Sequence, residues 1–260
     1  MVPIITLISD WGLKDHYAAA VKGVILSQLP SANIIDISHE VKKFDILEAS
    51  FILRNCYFSF PQGTIHIIAV NTEATISEPH TIVVYKGHFF IGADNGIFSL
   101  LFEDKPDLII ELSLIQDTDY FTFSERDVFI KAAVMIANGS KVEELGIKRD
   151  HLNHKMTLKP IIDTSTIKGT VIYIDSYENV FVNITEKIFK ECGKGRQFTI
   201  NFRDDEISNI SKSYADVLGG DIAAIFSTTG FLEITQNLGN ASEMLNLKLG
   251  DPVRVYFIDK

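Results

Sequence analysis

Cysteine is scarce in this chain of 260 residues, which has only Cys56 and Cys192. Two thiols so far apart form neither a disulfide framework nor a metal-binding motif, and such usage is typical of a reducing cytoplasm. No apolar run approaches the ~20 residues of a membrane span, and Val2-Pro3-Ile4 begins a strand rather than a signal peptide. We therefore expect a cytoplasmic protein without a membrane partner.

Basic residues are also in short supply. The chain has 24 Lys and Arg against 34 Asp and Glu, for a formal net charge of −10. A protein that binds nucleic acid needs a basic stripe to displace counterions, so this balance excludes nucleic acid as a partner. An acidic protein suits a cationic small molecule.

What the sequence does contain is a clear change of pattern along its length. To about residue 150, apolar β-branched runs alternate with helical patterns, as in an α/β domain with a mostly parallel sheet covered by helices. Residues 148–168 form a polar connector. Beyond it short β-branched runs dominate and only 241–246 looks helical, which predicts a smaller all-β, barrel-like domain. We place the domains at residues 1–155 and 156–260.

The opening segment carries the strongest local signal. The run Ile4–Ile8 ends in Ser9-Asp10-Trp11-Gly12, and a helical pattern follows. Asp10 would thus lie at the carboxyl edge of the first strand, where α/β proteins bind ligands. Its carboxylate could accept hydrogen bonds from two neighbouring hydroxyls, such as those of a ribose, or it could cap the following helix.

Four later segments extend this pattern. They are 34–40 (IIDISHE), 92–96 (GADNG), 173–183 (YIDSYENVFVN) and 230–237 (GFLEITQN). Together with the opening segment, in order and spacing, they resemble the S-adenosylmethionine hydroxide adenosyltransferases, the hydrolase relatives of fluorinase and chlorinase. The resemblance implies hydrolysis of S-adenosylmethionine to adenosine and methionine, with no cofactor and no metal.

The resemblance gives roles to three residues near the first strand. It implies that Asp10 holds the ribose hydroxyls, that Asp15 lies beside the methionine portion, and that Phe44 walls the adenosyl pocket. For Asp15 the alternative is an exposed residue at a helix start, favoured by the helix dipole. For Phe44 it is a staple in the core.

The segment from Asp175 to Asn183 is rich in groups suited to a nucleoside. Tyr177 and Phe181 could sandwich a purine, and Asn179 could bind the amino-acid end of the ligand beside Asp175. The alternative is a β-turn with Asn in a left-handed conformation. Glu178 stands where relatives usually have Gly.

Further binding candidates lie toward the C-terminus. The resemblance implies that the segment from Gly230 to Leu238 presents backbone groups to adenine, so the side chains of Gln236 and Leu238 need not match those of relatives. Tyr214 is a second candidate for stacking on the ligand. Thr229, with Thr228 beside it, could contact the methionine carboxylate.

The chain departs from the family in its catalytic residues. Family hydrolases activate water with an Asp–Arg–His set, and here Asn71, Glu78 and Ser124 stand at those positions. An Asn amide cannot accept a proton from water at neutral pH, and Ser124 needs a base of its own.

Glu125 is the candidate that could replace the lost set. If desolvated, its carboxylate could serve as a base, and it would repel the halide of a halogenase. The alternative is a helix-start residue paired with Arg126 or Lys131. His80 is a second possible replacement. The predicted catalytic residues are Glu125 and the two residues that stand at the family's catalytic positions, Asn71 and Ser124.

Two functions follow from these residues. The chain is a hydrolase of S-adenosylmethionine, or it is a catalytically impaired protein that binds S-adenosylmethionine or adenosine. The resemblance also implies a homotrimer with sites between subunits.

Overall fold

The computed structural model describes residues 2–116 and 119–258. Contacts between Cα atoms divide the chain into two compact units, residues 1–156 and 157–260, and each is described by itself. Within the described residues, every helix is too short or too polar to cross a membrane.

The first unit is a seven-stranded sheet with helices. Two short 3₁₀ turns, Tyr57–Ser59 and Val142–Leu145, and a π-helical segment, Glu125–Phe129, complete it. The strand order is β2-β1-β3-β5-β4-β6-β7. In chain order the strands and helices are β1 (Ile4–Ser9), α1 (Tyr17–Gln28), β2 (Asn33–Ser38), α2 (Ile46–Arg54), β3 (Ile65–Ala69), β4 (His80–Tyr85), β5 (His88–Ala93), α3 (Ile97–Leu101), β6 (Leu108–Leu112), α4 (Ile130–Ala137) and β7 (Gly146–Lys148).

This sheet is mixed, which corrects the prediction of a mostly parallel one. The pairs β1–β2, β1–β3 and β3–β5 are parallel, whereas β4–β5, β4–β6 and β6–β7 are antiparallel. The reason lies in the two residues between β4 and β5. Lys86 and Gly87 have φ of 49° and 81°, as in a type I′ hairpin turn. A loop of this length cannot make the crossover that parallel neighbours need.

Both faces of the central strands β1, β3 and β5 are buried, as the sequence predicts for a sheet covered by helices, whereas the edge strands β2 and β7 are largely exposed. Ile5 and Leu7 of β1 point into a cluster with residues of α1 and α4. Ile8 points into a second cluster with residues of α2 and α3. Because both faces are packed, polar groups collect where the parallel strands end, and this edge carries Asp10.

The second unit is an antiparallel sheet. In chain order its elements are β8 (Ile161–Ile162), β9 (Thr166–Ile174), β10 (Val180–Thr185), α5 (Glu186–Gly193), β11 (Gln197–Phe202), β12 (Asp205–Ile207), a 3₁₀ turn (Tyr214–Asp216), β13 (Ile222–Phe226), β14 (Phe231–Gln236), α6 (Ala241–Met244) and β15 (Pro252–Ile258). The strand order is β12-β11-β15-β9-β10-β14-β13, with β8 beside β9. The sheet is nearly closed and barrel-like, and the strands enclose one apolar cluster.

Two expectations about this unit were wrong in detail. Helix α5 lies in a stretch without predicted helix, where Thr185 caps it by accepting a hydrogen bond from the amide of Ile188. The helix was not predicted because its sequence is mostly charged, and only a few apolar side chains pack on the core. The polar connector also holds regular structure, because β8 pairs with the first part of β9 inside it.

Candidate active site

Polar side chains meet at the carboxyl ends of β1 and β3 in what we call the N-terminal cluster: Asp10, Trp11, Thr72 and Glu125. Asp10 and Trp11 directly follow β1, and Thr72 lies in the loop after β3. Glu125 is the first residue of the π-helical segment. The fold therefore brings together residues that are up to 115 positions apart in the chain.

Asp10 is held in place by the loop that precedes α2. The side chain is 8% exposed, its Oδ2 accepts a hydrogen bond from the amide of Phe44 at 2.8 Å, and the ammonium of Lys43 donates to its carbonyl. The helix-cap alternative for Asp10 is wrong, because the N-cap of α1 is His16.

Two other predicted binding residues near β1 are exposed. Phe44 has φ of 63° and a side chain that is 71% exposed, so the core-staple alternative is wrong. Asp15 is exposed in the turn before α1. Their binding roles stay predictions.

Glu125 is buried and does not form the helix-start ion pair considered as its alternative. Its side chain is 7% exposed, and its Oε1 accepts a hydrogen bond from Thr72 Oγ1 at 2.6 Å. Arg126 pairs with Asp127 instead. Burial raises the pKa of the Glu125 carboxyl above its ordinary value of 4.5, and the Asp10 carboxylate adds to the rise. Hydrogen bonds from Thr72 and the side chain of Trp11 oppose it.

The loop after β3 is fixed by side chains from two other elements. Asn95 donates from Nδ2 to the carbonyl of Asn71 at 2.8 Å, and His80 Nε2 lies 2.9 Å from the carbonyl of Thr72. Asn71 has φ of 50°, the left-handed conformation that Asn tolerates. Burial lowers the pKa of His80, so the imidazole is neutral at pH 7 and donates its Nε2 proton. Ser124 is the N-cap residue of the π-helical segment.

A second polar group, the C-terminal cluster, consists of Asp175, Asn179, Tyr214, Glu233 and Thr235 in the barrel-like unit. Asp175 Oδ1 accepts from the amide of Asn179 at 2.8 Å, and Oδ2 accepts from its Nδ2 at 3.1 Å. Thr235 donates to Asn179 Oδ1 at 2.5 Å. These contacts fix a turn from Asp175 to Asn179.

Glu233 gives this cluster a second buried carboxylate. It is 1% exposed, and the Tyr214 hydroxyl donates to its Oε1 at 2.9 Å. Burial raises the pKa of Glu233 and, together with this contact, raises the pKa of Tyr214 to about 12. Tyr214 is 45% exposed, so its ring could still stack on a ligand.

The remaining predicted binding residues differ in exposure. Phe181 is buried beside Tyr173, whereas Tyr177 is exposed. A purine sandwiched by Tyr177 and Phe181 would need the buried ring to become accessible. Thr229 bonds to Ser227, Gln236 donates to the carbonyl of Gly220, and Leu238 is exposed with φ of 56°.

Family models match most of the chain. The SAM hydroxide adenosyltransferase N-terminal domain matches residues 5–146, and the C-terminal domain of the same family matches residues 169–254. The chain belongs to the SAM hydroxide adenosyltransferase family.

Several relatives match this SAM hydroxide adenosyltransferase chain over nearly their whole length. The (R)-S-adenosyl-L-methionine hydrolase of Methanocaldococcus jannaschii is 29% identical, over 99% of this chain and 97% of the relative. A fluorinase from Nocardia brasiliensis is 23% identical, over 97% and 96%. The crystal structure of an uncharacterized conserved protein from Thermotoga maritima superposes with a TM-score of 0.88 at 30% identity, covering 97% of this chain and 99% of the other.

Sequence reasoning missed four members of the two clusters of this family member: Trp11, Thr72, Glu233 and Thr235. Thr72 carried a signal, because it directly follows Asn71, which stands at the position of the family's Asp. Glu233 and Thr235 did not, since an acidic or hydroxyl residue on a strand is usually exposed and both faces of β14 are buried here.

Proposed function

We propose that this chain hydrolyses (R)-S-adenosyl-L-methionine to adenosine and L-methionine by attack of water at C5′. Membership of the family and the names of the curated relatives support this reaction. The observation that carries the proposal is the buried Glu125 carboxylate beside Asp10. It supplies a base where the family's Asp–Arg–His set is absent.

Asp10 is the residue we propose for ribose binding. Its Oδ2 already accepts the Phe44 amide, and a carboxylate offers about four acceptor positions, so positions remain for two hydroxyls. The main-chain contact fixes the orientation of the carboxylate before the ligand arrives. We propose that a ribose held in this way directs C5′ toward Glu125, whose carboxylate is near that of Asp10.

Glu125 is the residue we propose to accept the proton of the attacking water. The water oxygen forms a bond to C5′ as the C5′–S bond breaks, and the bonding electrons stay on sulfur, which leaves methionine as a neutral thioether. The water proton passes to the carboxylate. Because the leaving group is neutral and needs no proton, one base and a well-placed water suffice.

The charge of the N-terminal cluster favours water over a halide as nucleophile. Asp10 and Glu125 are both acidic, and each raises the free energy of an anion placed between them. A sulfonium is stabilised by the same field. We therefore propose hydrolysis and not the halogenation that gives the fluorinase relatives their name.

In the C-terminal cluster, we propose that Asp175 and Asn179 bind the amino-acid end of the ligand. Both are fixed by the turn that they form, and Thr235 holds the Asn179 amide with its oxygen as acceptor. One Nδ2 proton of Asn179 already goes to Asp175 Oδ2, and the second proton can be donated to a ligand. Preorganised groups of this kind lower the entropic cost of binding.

The decisive experiment is incubation of the purified protein with (R)-S-adenosyl-L-methionine in H₂¹⁸O, followed by chromatography and mass spectrometry. We expect adenosine with ¹⁸O at its 5′ oxygen, and methionine without the label. A parallel reaction with chloride or fluoride should give no halogenated nucleoside. Adenosine no higher than in the control without protein would overturn the proposal, and saturable binding in that case would make the chain a binding protein.

A further inference from the structure

Thr72 is a partly buried residue of the N-terminal cluster that the family resemblance leaves without a role. Its hydroxyl donates to Glu125 Oε1 at 2.6 Å, and its carbonyl lies 2.9 Å from His80 Nε2. The side chain of Thr72 thus contacts the Glu125 carboxylate, and its main-chain carbonyl contacts the neutral imidazole of His80.

The two residues before Thr72 are also fixed by a side-chain donor. Asn95 Nδ2 lies 3.3 Å from the carbonyl of Val70 and 2.8 Å from that of Asn71. With His80 on β4 and Asn95 after β5, two neighbouring strands hold the loop. A loop anchored at three successive carbonyls presents the Thr72 hydroxyl in one direction.

The Glu125 carboxylate is held by a donor from another element as well as by its own main-chain amide. It is the first residue of a π-helical segment, and the N-cap side chain of that segment makes no capping hydrogen bond. Arg126, the adjacent cation, is engaged with Asp127. The donors to the Glu125 carboxylate are the Thr72 hydroxyl, the main-chain amide of Glu125 itself and the side chain of Trp11, with the Asp10 carboxylate nearby.

We propose that Thr72 is the positioning residue of the reaction, and that Thr72 and Glu125 together take the place of the family's Asp–Arg–His set. This inference rests on the proposed function. The Thr72 hydroxyl donates its only proton to Glu125, and the carboxylate keeps acceptor positions for the attacking water. The side chains of His80 and Asn95 contact the main chain of residues 70–72 and so fix the position of the Thr72 hydroxyl.

The hydrogen bond also keeps the base usable. Burial and the Asp10 carboxylate both favour the protonated form of Glu125, which cannot accept a proton, whereas a hydroxyl donor favours the ionised form. The other groups around the carboxylate are the Glu125 amide and Trp11, which are neutral donors, and His80, which contacts the carbonyl of Thr72. The Lys43 ammonium is bound to the carbonyl of Asp10.

A matched pair of variants tests the inference. Thr72→Val keeps the shape of the side chain and removes the hydroxyl, whereas Thr72→Ser keeps the hydroxyl. We expect Thr72→Val to lower kcat about 10–100-fold with KM within about three-fold, and Thr72→Ser to stay within about three-fold of wild type. The acid limb of the pH profile of kcat/KM should move up by about one pH unit in Thr72→Val only.

A second measurement does not depend on turnover. The ¹³C resonance of the Glu125 carboxyl, assigned by its loss in Glu125→Gln, should titrate at higher pH in ligand-free Thr72→Val than in wild type or Thr72→Ser. Equal titration in all three, or wild-type kinetics in a folded Thr72→Val, would overturn the role of Thr72 alone. No adenosine from wild type would overturn the proposed function, and the catalytic role with it.

Discussion

The hydroxyl of Tyr214 donates to Glu233 Oε1 at 2.9 Å and ties an exposed aromatic ring to a carboxylate that is 1% exposed. An ionised carboxylate at such depth is costly unless donors surround it. Ser227 is the other side chain that donates to it. This hydrogen bond therefore positions the ring of Tyr214, which we propose as a stacking surface, and also stabilises the barrel-like unit.

Removal of this hydrogen bond should destabilise the protein. In a double-mutant cycle of Tyr214→Phe and Glu233→Gln at pH 7, we expect a coupling free energy of about 1.5–3 kcal/mol, because one partner is charged. Urea denaturation followed by circular dichroism measures it. Tyr256→Phe in β15 is the control, and a coupling near zero would show that the contact does not stabilise the fold.

Glu125→Gln should abolish hydrolysis and leave ligand affinity within a few-fold of wild type. A general base contributes about 10²–10⁴-fold to the rate, and the amide is nearly isosteric. Wild-type kcat/KM should fall as the pH drops through the raised pKa of Glu125, because only the ionised form accepts a proton. Product chromatography across pH measures both effects. Turnover retained in Glu125→Gln would return attention to His80.

Asp10→Asn should weaken binding of S-adenosylmethionine by about 10-fold or more, since a charged acceptor is replaced by a neutral one. The amide oxygen can still accept the Phe44 amide, so the fold should survive. Isothermal titration calorimetry measures the affinity, and Asp150→Asn, at an exposed position of the same unit, is the control. Equal affinity of Asp10→Asn and wild type would refute the proposed ribose contact.

A buried histidine pair should make the first unit sensitive to acid. His66 accepts or donates to Thr6 at 2.7 Å and lies 3.2 Å from His88. Burial, and then His88, lowers the pKa of His66 from 6.5 to about 3. The unfolded chain therefore binds a proton first as the pH falls. The free energy of unfolding should decrease between about pH 6.5 and pH 3, by ~1.4 kcal/mol per pH unit for one proton.

His66→Phe tests this prediction, because it keeps a ring against Phe90 and removes the titrating group. We expect it to flatten the slope by about one proton, although it is less stable at pH 7. Trp11, the only tryptophan, reports on the first unit by fluorescence. His154→Phe, at an exposed position, should leave the slope unchanged. An unaltered slope in His66→Phe would assign the acid sensitivity to other groups.

We also expect a homotrimer, as the family resemblance implies. Light scattering at micromolar protein should give about 87 kDa, three times the chain mass of 29.1 kDa. A mass of one chain would contradict this prediction.

The sequence by itself determined the family, the order of most strands and helices, and the position of Asp10 after β1. These features depend on local patterns: hydrophobic periodicity, strand-ending residues and motif spacing. The mixed sheet also has a local cause, the tight turn at Lys86 and Gly87, which the sequence prediction missed. Tertiary structure alone decided two other features. Helix α5 is stabilised by its packing on the barrel-like core. Thr72 meets Glu125 across 53 positions of sequence, and no local pattern encodes a contact between a loop and a distant helical segment.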